Sequence, residues 1–172
     1  KASDIGRTIE KTIKQTGLKP IANLSGHSLG QYTIHAGRSI PNIWSVGGFT
    51  LAENTAYACE PFVTTEKGGG FVRNGKIKNI FALNSRKKTK NDEADRLLDY
   101  IWEKFNMLPF ALRWITKDWE EKKARELLEQ LINKKAVQAY PILIEINEQR
   151  VAQAEHTFIP NENGVTVTTI SQ

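Results

Sequence analysis

The sequence lacks several features that would place the protein in other classes. No apolar run approaches the roughly 20 residues that a membrane-spanning helix needs, and no stretch has the pattern of a signal peptide. Cys59 is the single cysteine in 172 residues, which excludes an internal disulfide and favours a reducing compartment. We also find no internal repeat or low-complexity tract. These absences predict a cytoplasmic protein that does not contact a membrane.

The residues that are present suffice for a hydrophobic core. Hydrophobic residues make up 40% of the chain and charged residues 25%, as in ordinary soluble globular proteins. This length fits one domain, or one domain with an insertion. The net charge of +5 has two interpretations: a lysine-rich surface of mixed charge, or a surface that contacts nucleic acid, the ribosome or an acidic partner. We favour the first, because opposite charges are mixed almost everywhere.

Two of the three histidines lie in one glycine-rich segment, residues 26–37. A helix over 4–16 precedes it, with isoleucine at every fourth position. Glycine lets the backbone pass close to other groups, and histidine is the commonest metal ligand. We therefore interpret 26–37 as a shaped loop, with a short strand over 32–34, that carries either a site or a structural turn.

A carboxylate interrupts the next predicted strand, residues 57–63. Pro61 restricts Glu60 to extended backbone and predicts a strand end there. A buried Glu60 needs a partner, since an unpaired buried charge is costly; the alternative is the exposed face of a half-buried strand. Asn74-Gly75 then predicts a hairpin between Phe71 and Phe81.

The middle of the chain changes to helical patterns. We predict a helix capped by Asn91, a second opened by Pro109 and a third over 118–133, followed by an extended segment over 137–146 that is interrupted at Tyr140-Pro141. The apolar face of the first of these helices consists of Ala94, Leu97, Leu98, Ile101, Trp102 and Phe105. Together they resemble a small winged-helix unit, whose aromatic stripes favour core packing over nucleic-acid recognition.

The last segment predicts a β-hairpin that holds Glu155 next to His156. His27, Glu60 and Glu155 thus each lie in or beside a predicted strand. One imidazole with two carboxylates suits Mn, Fe, Co or Zn rather than a thiolate-type structural zinc site. Carboxylates can also bridge two ions, and a two-metal site can activate a water and polarise a carbonyl.

Four short motifs surround these three residues: Gly26-His27-Ser28-Leu29-Gly30-Gln31-Tyr32, Ile34-His35-Ala36-Gly37, Cys59-Glu60-Pro61-Phe62 and Glu155-His156-Thr157. Together they resemble a known family, the type 2 methionine aminopeptidases, and among these the archaeal ones. The spacing also agrees, since Glu60 follows His27 by 33 residues and Glu155 follows Glu60 by 95. The longer gap holds the helical insertion that distinguishes type 2 enzymes from type 1. The insertion and Gln31-Tyr32 also argue against a proline-specific peptidase of the same fold.

The resemblance implies an α/β (α+β) pita-bread fold, here mainly its C-terminal half with the winged-helix-like insertion. The implied divisions are 1–85 and 148–172 for the core and 86–147 for the insertion. It implies a cytoplasmic, monomeric hydrolase that removes the initiator methionine from nascent peptides whose next residue is small.

The resemblance also implies the roles of single residues. His27 would bind one of two divalent ions (Co, Mn, Fe or Zn), Glu60 would bind metal and move the proton of the attacking water, and Glu155 would bridge both ions. His35 would contact the substrate. The apolar methionine pocket would be lined by Ile34, Phe62 and Tyr140.

One departure from the family limits these implications. The family needs two aspartates and a further histidine upstream of His27, yet Asp4 is the single aspartate there and belongs to the predicted helix. We expect a fragment, produced by cleavage or truncation, whose N-terminal half could exist as a separate chain. The resemblance implies no activity for this chain alone. The rival interpretation is a non-enzymatic relative of the same fold that binds RNA or the ribosome.

Overall fold

A computed structural model describes residues 1–170, and its first element is a helix close to the predicted one. The helix α1 spans Ala2–Gln15, against 4–16 expected from the isoleucine spacing. It packs closely on the chain near Pro41, because a Cβ at Gly6 would lie 2.4 Å from the carbonyl oxygen of Ile43. Gly17, with φ +76°, follows the helix end, where an L side chain would be strained. None of the helices over 1–170 is long and apolar enough to cross a membrane.

The remaining elements of residues 16–170 are strands, most of them short, and three further helices. In chain order they are β1 (Lys19–Pro20), β2 (Ser25–Ser28), β3 (Ser39–Pro41), β4 (Tyr57–Cys59), β5 (Phe62–Thr64), β6 (Val72–Leu83), α2 (Asp92–Phe105), β7 (Phe110–Ala111), α3 (Leu112–Ile115), α4 (Glu121–Asn133), β8 (Val137–Glu145), β9 (Val151–Gln153), β10 (His156–Asn161) and β11 (Gly164–Val167).

The chain folds as two units. The first comprises residues 1–73 and 143–172, and the second comprises residues 74–142. The insertion predicted from the sequence spans 86–147 instead. The difference lies in the long strands β6 and β8, along which the chain leaves the first unit and returns to it.

The first unit contains two antiparallel sheets. One has the strand order β11-β10-β4-β2-β3 and the other β1-β5-β9. Its core includes the fully buried side chains of Ile21, Ile40 and Tyr57. The predicted strand over 32–34 is wrong: an isolated bridge between Gly30 and Thr33 closes a tight turn there.

The second unit is built on the predicted helix faces. Asn91 caps α2 by accepting a hydrogen bond from the backbone N–H of Glu93, as expected. Its core is formed by one face of α2, one face of α4 and the sheet β7-β6-β8. The predicted α2 face is confirmed, with Ala94, Leu97, Leu98 and Ile101 fully buried and Trp102 and Phe105 packed against them.

Three predictions for this region are wrong. The hairpin at Asn74-Gly75 does not form, because β6 runs straight through both residues and neither has the positive φ that the turn requires. Pro109 opens no long helix; β7 follows it, and α3 has 4 residues. The strand β8 is not interrupted at Tyr140-Pro141.

A buried carboxylate joins two loops of the first unit. The side chain of Glu145 is 2% exposed and accepts four backbone hydrogen bonds, from Gly69 (2.5 Å), Gly70 (3.1 Å), Asn147 (2.8 Å) and Gln149 (3.2 Å). Burial alone would raise the pKa of the Glu145 carboxyl, but these N–H groups together hold that pKa below its ordinary value. Glu145 therefore stabilises the fold in its ionised form.

We expect Glu145→Gln to lower the melting temperature at pH 7 by roughly 3–6 °C, because an amide nitrogen cannot accept these hydrogen bonds. The folded-state pKa lies below the unfolded one, so the contribution is present at neutral pH and is lost as pH falls through the folded pKa. The melting temperatures of the unmodified chain and of Glu145→Gln, measured from pH 7 to pH 3, should therefore converge as the pH falls. The exposed Glu162→Gln is the matched control, and an equal loss in that variant would contradict the assignment.

Candidate functional site

The pairing of two short strands brings His27 and Glu60 together. In the β2–β4 ladder, His27 stands opposite Ala58, and Glu60 follows two residues further along the chain on the same face. The Nε2 atom of His27 lies 2.8 Å from Oε1 of Glu60. Both side chains are largely buried, with 12% and 13% of their surfaces exposed.

The hydrogen bonds around this pair leave two acceptors facing each other. The Nδ1 atom of His27 is 3.3 Å from the carbonyl oxygen of Ser28, so the tautomer with Nδ1–H donates there. In that tautomer the lone pair of Nε2 points towards the buried Oε1 of Glu60, which has no other partner within residues 1–170; in the other tautomer Nε2–H donates to this oxygen. The other oxygen, Oε2, accepts from Nε2 of Gln153 at 3.0 Å. Such a geometry requires a proton or a cation between the two acceptors.

A second carboxylate stands across from Glu60. The antiparallel ladders β4–β10 and β5–β9 have the same register, on either side of the unpaired residues 60–61 and 154–155. In them Cys59 pairs with His156, and Phe62 pairs with Gln153. Continuing that register through the gap places Glu60 opposite Glu155, although the ladder itself is interrupted there and Glu155 is exposed. Like charges directly opposite each other are unfavourable without a compensating cation.

The electrostatics of Glu60 reflect these neighbours. Burial is the main cause that raises the pKa of the Glu60 carboxyl above its ordinary value; the nearby His27 imidazole lowers it, and the Glu155 charge raises it further. The protein therefore holds the ionised form of this carboxylate at a cost, which is a common property of functional groups.

The loop after β2 adds the second histidine. Its backbone folds back onto the strand, since the N–H of Ala36 donates to the Ser28 carbonyl at 2.9 Å and the N–H of Arg38 donates to the Ser28 hydroxyl at 3.1 Å. The His35 ring then lies 4.4 Å from the His27 ring, centroid to centroid, at an interplanar angle of 71°. Burial first, and His27 second, lower the pKa of the His35 imidazole, which favours its neutral form.

The other predicted site residues lie partly in the first unit and partly in the second. Ile34 is half-buried in the same loop as His35, and Phe62 is half-buried in β5, just beyond Glu60. Tyr140 lies in the second unit, in β8. The hydrogen bond from Gln153 to Glu60 is not predicted from the sequence. The strand alternation puts Gln153 on the face of Glu155, but the pairing with β5 cannot be deduced from that.

The donor set fits part of a metal site. Over residues 1–170, no three His, Cys, Asp or Glu side chains lie close enough together to hold a metal ion. The structure does bring one imidazole nitrogen and one carboxylate oxygen to within 2.8 Å, and that oxygen has no other partner within residues 1–170. That pair suits a divalent ion of the Mn, Fe, Co and Zn group. The role of Glu155 as a ligand stays a prediction.

Two curated relatives with similar sequences are both named methionine aminopeptidase. The chain is 41% identical over 170 residues to a methionine aminopeptidase of Saccharolobus solfataricus, a match that covers 98% of this chain and 56% of the relative. It is 39% identical over 166 residues to the methionine aminopeptidase of Methanocaldococcus jannaschii, covering 96% and 55%. The chain thus spans little more than half the length of these curated relatives. No family profile matches it.

Solved structures agree on the architecture. A thermophilic Arx1 superimposes with a TM-score of 0.80 at 17% identity, over 96% of this chain and 45% of that one. Methionine aminopeptidase from Rickettsia prowazekii superimposes with a TM-score of 0.55 at 16% identity, over 99% and 43%. The chain therefore has the mixed α/β fold of the pita-bread type, and over nearly all of its length it is similar to methionine aminopeptidases.

Proposed function

We propose that this chain is the C-terminal part of a type 2 methionine aminopeptidase, a cytoplasmic hydrolase that removes the initiator methionine from nascent peptides whose second residue is small. The observation that carries the proposal is the convergence of the largely buried His27 Nε2 and Glu60 Oε1 at 2.8 Å, where that carboxylate oxygen has no other partner within residues 1–170. The similarity of about 40% to proteins of that name supports the same activity.

The chain's own residues would then have distinct roles. His27 and Glu60 would hold metal, and Glu155, in the segment between β9 and β10, would be the carboxylate shared by both ions. Glu60 would also accept the proton of the attacking water and pass it on. His35, kept neutral, contacts the substrate near the scissile carbonyl.

Two divalent ions, drawn from Co, Mn, Fe and Zn, would supply Lewis acidity at this position and lower the pKa of a bound water. The protein sets the selectivity for methionine by an apolar pocket, to which Ile34 and Phe62 contribute. A closed pocket rejects larger neighbouring residues by steric exclusion, because binding alone discriminates weakly between similar apolar groups. The contribution of Tyr140 stays a prediction of the sequence.

We further propose that the complete site needs residues outside this chain. Two donors in close contact cannot hold two ions, and the relatives have nearly half of their length without a counterpart here. An open apolar groove of about 730 Å³ in the first unit supports this proposal. It is lined by apolar side chains of α1, β10 and β11, among them Ile5, Ile9, Phe158, Val165 and Val167. Exposed apolar surface of this extent is typical of an interface, and the missing half would cover it.

Reconstitution tests both parts of the proposal. The chain is coexpressed with the portion of the Saccharolobus solfataricus relative that has no counterpart here, and release of methionine from Met-Ala-Ser is measured with Mn²⁺ or Co²⁺. We expect turnover from the complex, none from the 19.4 kDa chain alone, and none with an X-Pro peptide.

Each contrary outcome has a definite meaning. Turnover by the chain alone would overturn the proposed incompleteness. A folded complex that binds no divalent ion would overturn the enzymatic role and favour the non-enzymatic relative that binds RNA or the ribosome. Cleavage of the X-Pro peptide in place of Met-Ala-Ser would overturn the substrate assignment.

A further inference from the structure

The net positive charge of this protein comes from one of its two units. Residues 74–142 contain 15 of the 24 Lys and Arg residues but 10 of the 19 Asp and Glu residues. The second unit therefore carries the whole net charge of +5, and the first unit, which contains the candidate site, is neutral. A charge excess that is separated from the site calls for its own explanation.

Backbone hydrogen bonds gather the excess at one end of the second unit. The carbonyl oxygen of Ala136 accepts from the N–H groups of Asn84 (2.8 Å) and Ser85 (3.2 Å). The loop that follows β6 therefore lies beside the turn that follows α4. These two segments, 84–90 and 133–136, contain no acidic residue. Their cations, which we call the basic end, are Arg86, Lys87, Lys88, Lys90, Lys134 and Lys135.

Neighbouring carboxylates neutralise only a small part of the basic end. Asp99 pairs with Lys88 at 2.6 Å and with Arg86 at 3.2 Å, and these hydrogen bonds, Lys88 first, lower the pKa of its carboxyl. Asp95 contributes a second negative charge, but its carboxylate accepts from Thr89. The four remaining lysines of the basic end form no ion pair within residues 1–170.

The composition of this surface indicates the chemistry of its partner. Beside the cations it presents the polar side chains of Asn84, Ser85 and Asn133, all exposed. Lys, Arg, Asn and Ser are the donors that bind the phosphate oxygens of nucleic acids. In the part of the chain that the structure describes, neither segment has an exposed large apolar side chain. A membrane surface or an apolar protein interface would use such anchors.

We propose that the basic end binds the phosphate backbone of double-stranded RNA without sequence preference. The choice of RNA over DNA rests on the proposed function, since an enzyme of nascent chains works beside ribosomal RNA. The two segments contain no aromatic residue and, apart from Asn133, no helical one, so base recognition is not expected. Affinity should come from counterion release and should fall steeply with salt.

Binding of the whole chain to a 24-base-pair RNA duplex tests this proposal, measured by fluorescence anisotropy between about 50 and 300 mM KCl. The test variant carries Lys87→Gln, Lys90→Gln, Lys134→Gln and Lys135→Gln, which removes the four lysines without ion pairs. The control carries Lys76→Gln, Lys78→Gln, Lys104→Gln and Lys117→Gln, which removes the same charge elsewhere in the second unit.

We expect the test variant to bind at least about tenfold more weakly at 100 mM salt, with a shallower dependence of log Kd on log salt by about 2–4. The control should stay within about threefold of the unmodified chain, because its lysines are outside the basic end. Equal losses in both variants, or no loss in the test variant, would overturn the proposal. Tighter binding to a DNA duplex of the same length than to the RNA duplex would overturn the assignment to RNA.

Two further measurements separate this proposal from the proposed function. Ribosomal subunits and free RNA duplex are compared as binding partners, which distinguishes the ribosome from RNA in general as the source of the phosphates. The test variant should retain full turnover of Met-Ala-Ser in the reconstituted complex, since none of its substitutions is at the candidate site. RNA binding that persists when reconstitution gives no turnover would support the basic end and contradict only the enzymatic role.

Discussion

Glu60→Gln is expected to reduce turnover of the reconstituted enzyme by about 10³-fold or more, which corresponds to roughly 4 kcal/mol of barrier. The change leaves the shape of the side chain intact but removes the negative charge that binds metal and the group that accepts the proton of water. The measurement is kcat with Met-Ala-Ser at saturating Mn²⁺, together with metal content after gel filtration. Turnover within about tenfold of the unmodified enzyme would contradict both roles.

The same substitution should stabilise the chain when no metal is present. Because burial holds the folded-state pKa of Glu60 above its unfolded value, the ionised form costs stability at neutral pH, and the cost disappears as pH falls through the folded pKa. The amide nitrogen of the variant can donate to His27 Nε2, while the amide oxygen still accepts from Gln153 as the carboxylate does.

We therefore expect the melting temperature of Glu60→Gln to rise by roughly 2–4 °C at pH 7.5 in the presence of a chelator. The rise should vanish at a pH below the pKa of Glu60 in both the folded and the unfolded state, where Glu60 itself is neutral. The exposed Glu66→Gln serves as the control and should change neither activity nor melting temperature. A decrease in melting temperature would show that ionised Glu60 stabilises the folded chain through its contacts, which contradicts this prediction.

The elements that the sequence predicts well are those whose pattern is local. The faces of α2 and α4 follow from apolar residues at helical spacing, and Asn91 caps α2 through its own side chain. Pro61 correctly indicates a strand end at Glu60, because proline restricts the residue before it whatever the tertiary context.

The predictions that fail depend on partners distant in sequence. Asn74-Gly75 has the composition of a tight turn, yet β6 continues through it and pairs further along with β7. The preference of two residues for a turn is smaller than the free energy gained from a continuous strand whose end, at Phe81 and Leu83, is buried in the core.

The candidate site shows the same division. The sequence supplies the identities of His27 and Glu60, whereas their contact depends on the register of β2 with β4, which no local pattern determines. The face-to-face arrangement of Glu60 and Glu155 likewise follows from a register shared by two ladders on either side of a gap.

That register predicts a large effect for a residue with no side chain. A Cβ at Gly26 would lie 2.1 Å from the carbonyl oxygen of Ala58, in the strand opposite, and the backbone there cannot move without separating β2 from β4. Gly26→Ala should therefore cost about 1–3 kcal/mol and lower the melting temperature by roughly 3–10 °C. Because β2 and β4 position His27 against Glu60, turnover of the reconstituted enzyme should fall by about 10²-fold.

Gly30 provides the matched control within the same glycine-rich segment. A Cβ there would lie 3.6 Å from Cβ of Thr33 and 3.7 Å from Cβ of Ala36, which is ordinary van der Waals contact. Gly30→Ala should therefore change stability by no more than about 0.5 kcal/mol and leave turnover nearly unchanged. Equal effects of the two substitutions would mean that the segment needs glycine for flexibility. A loss confined to Gly26→Ala would place the requirement at the close approach of two strands, the contact through which the fold brings an imidazole to a carboxylate.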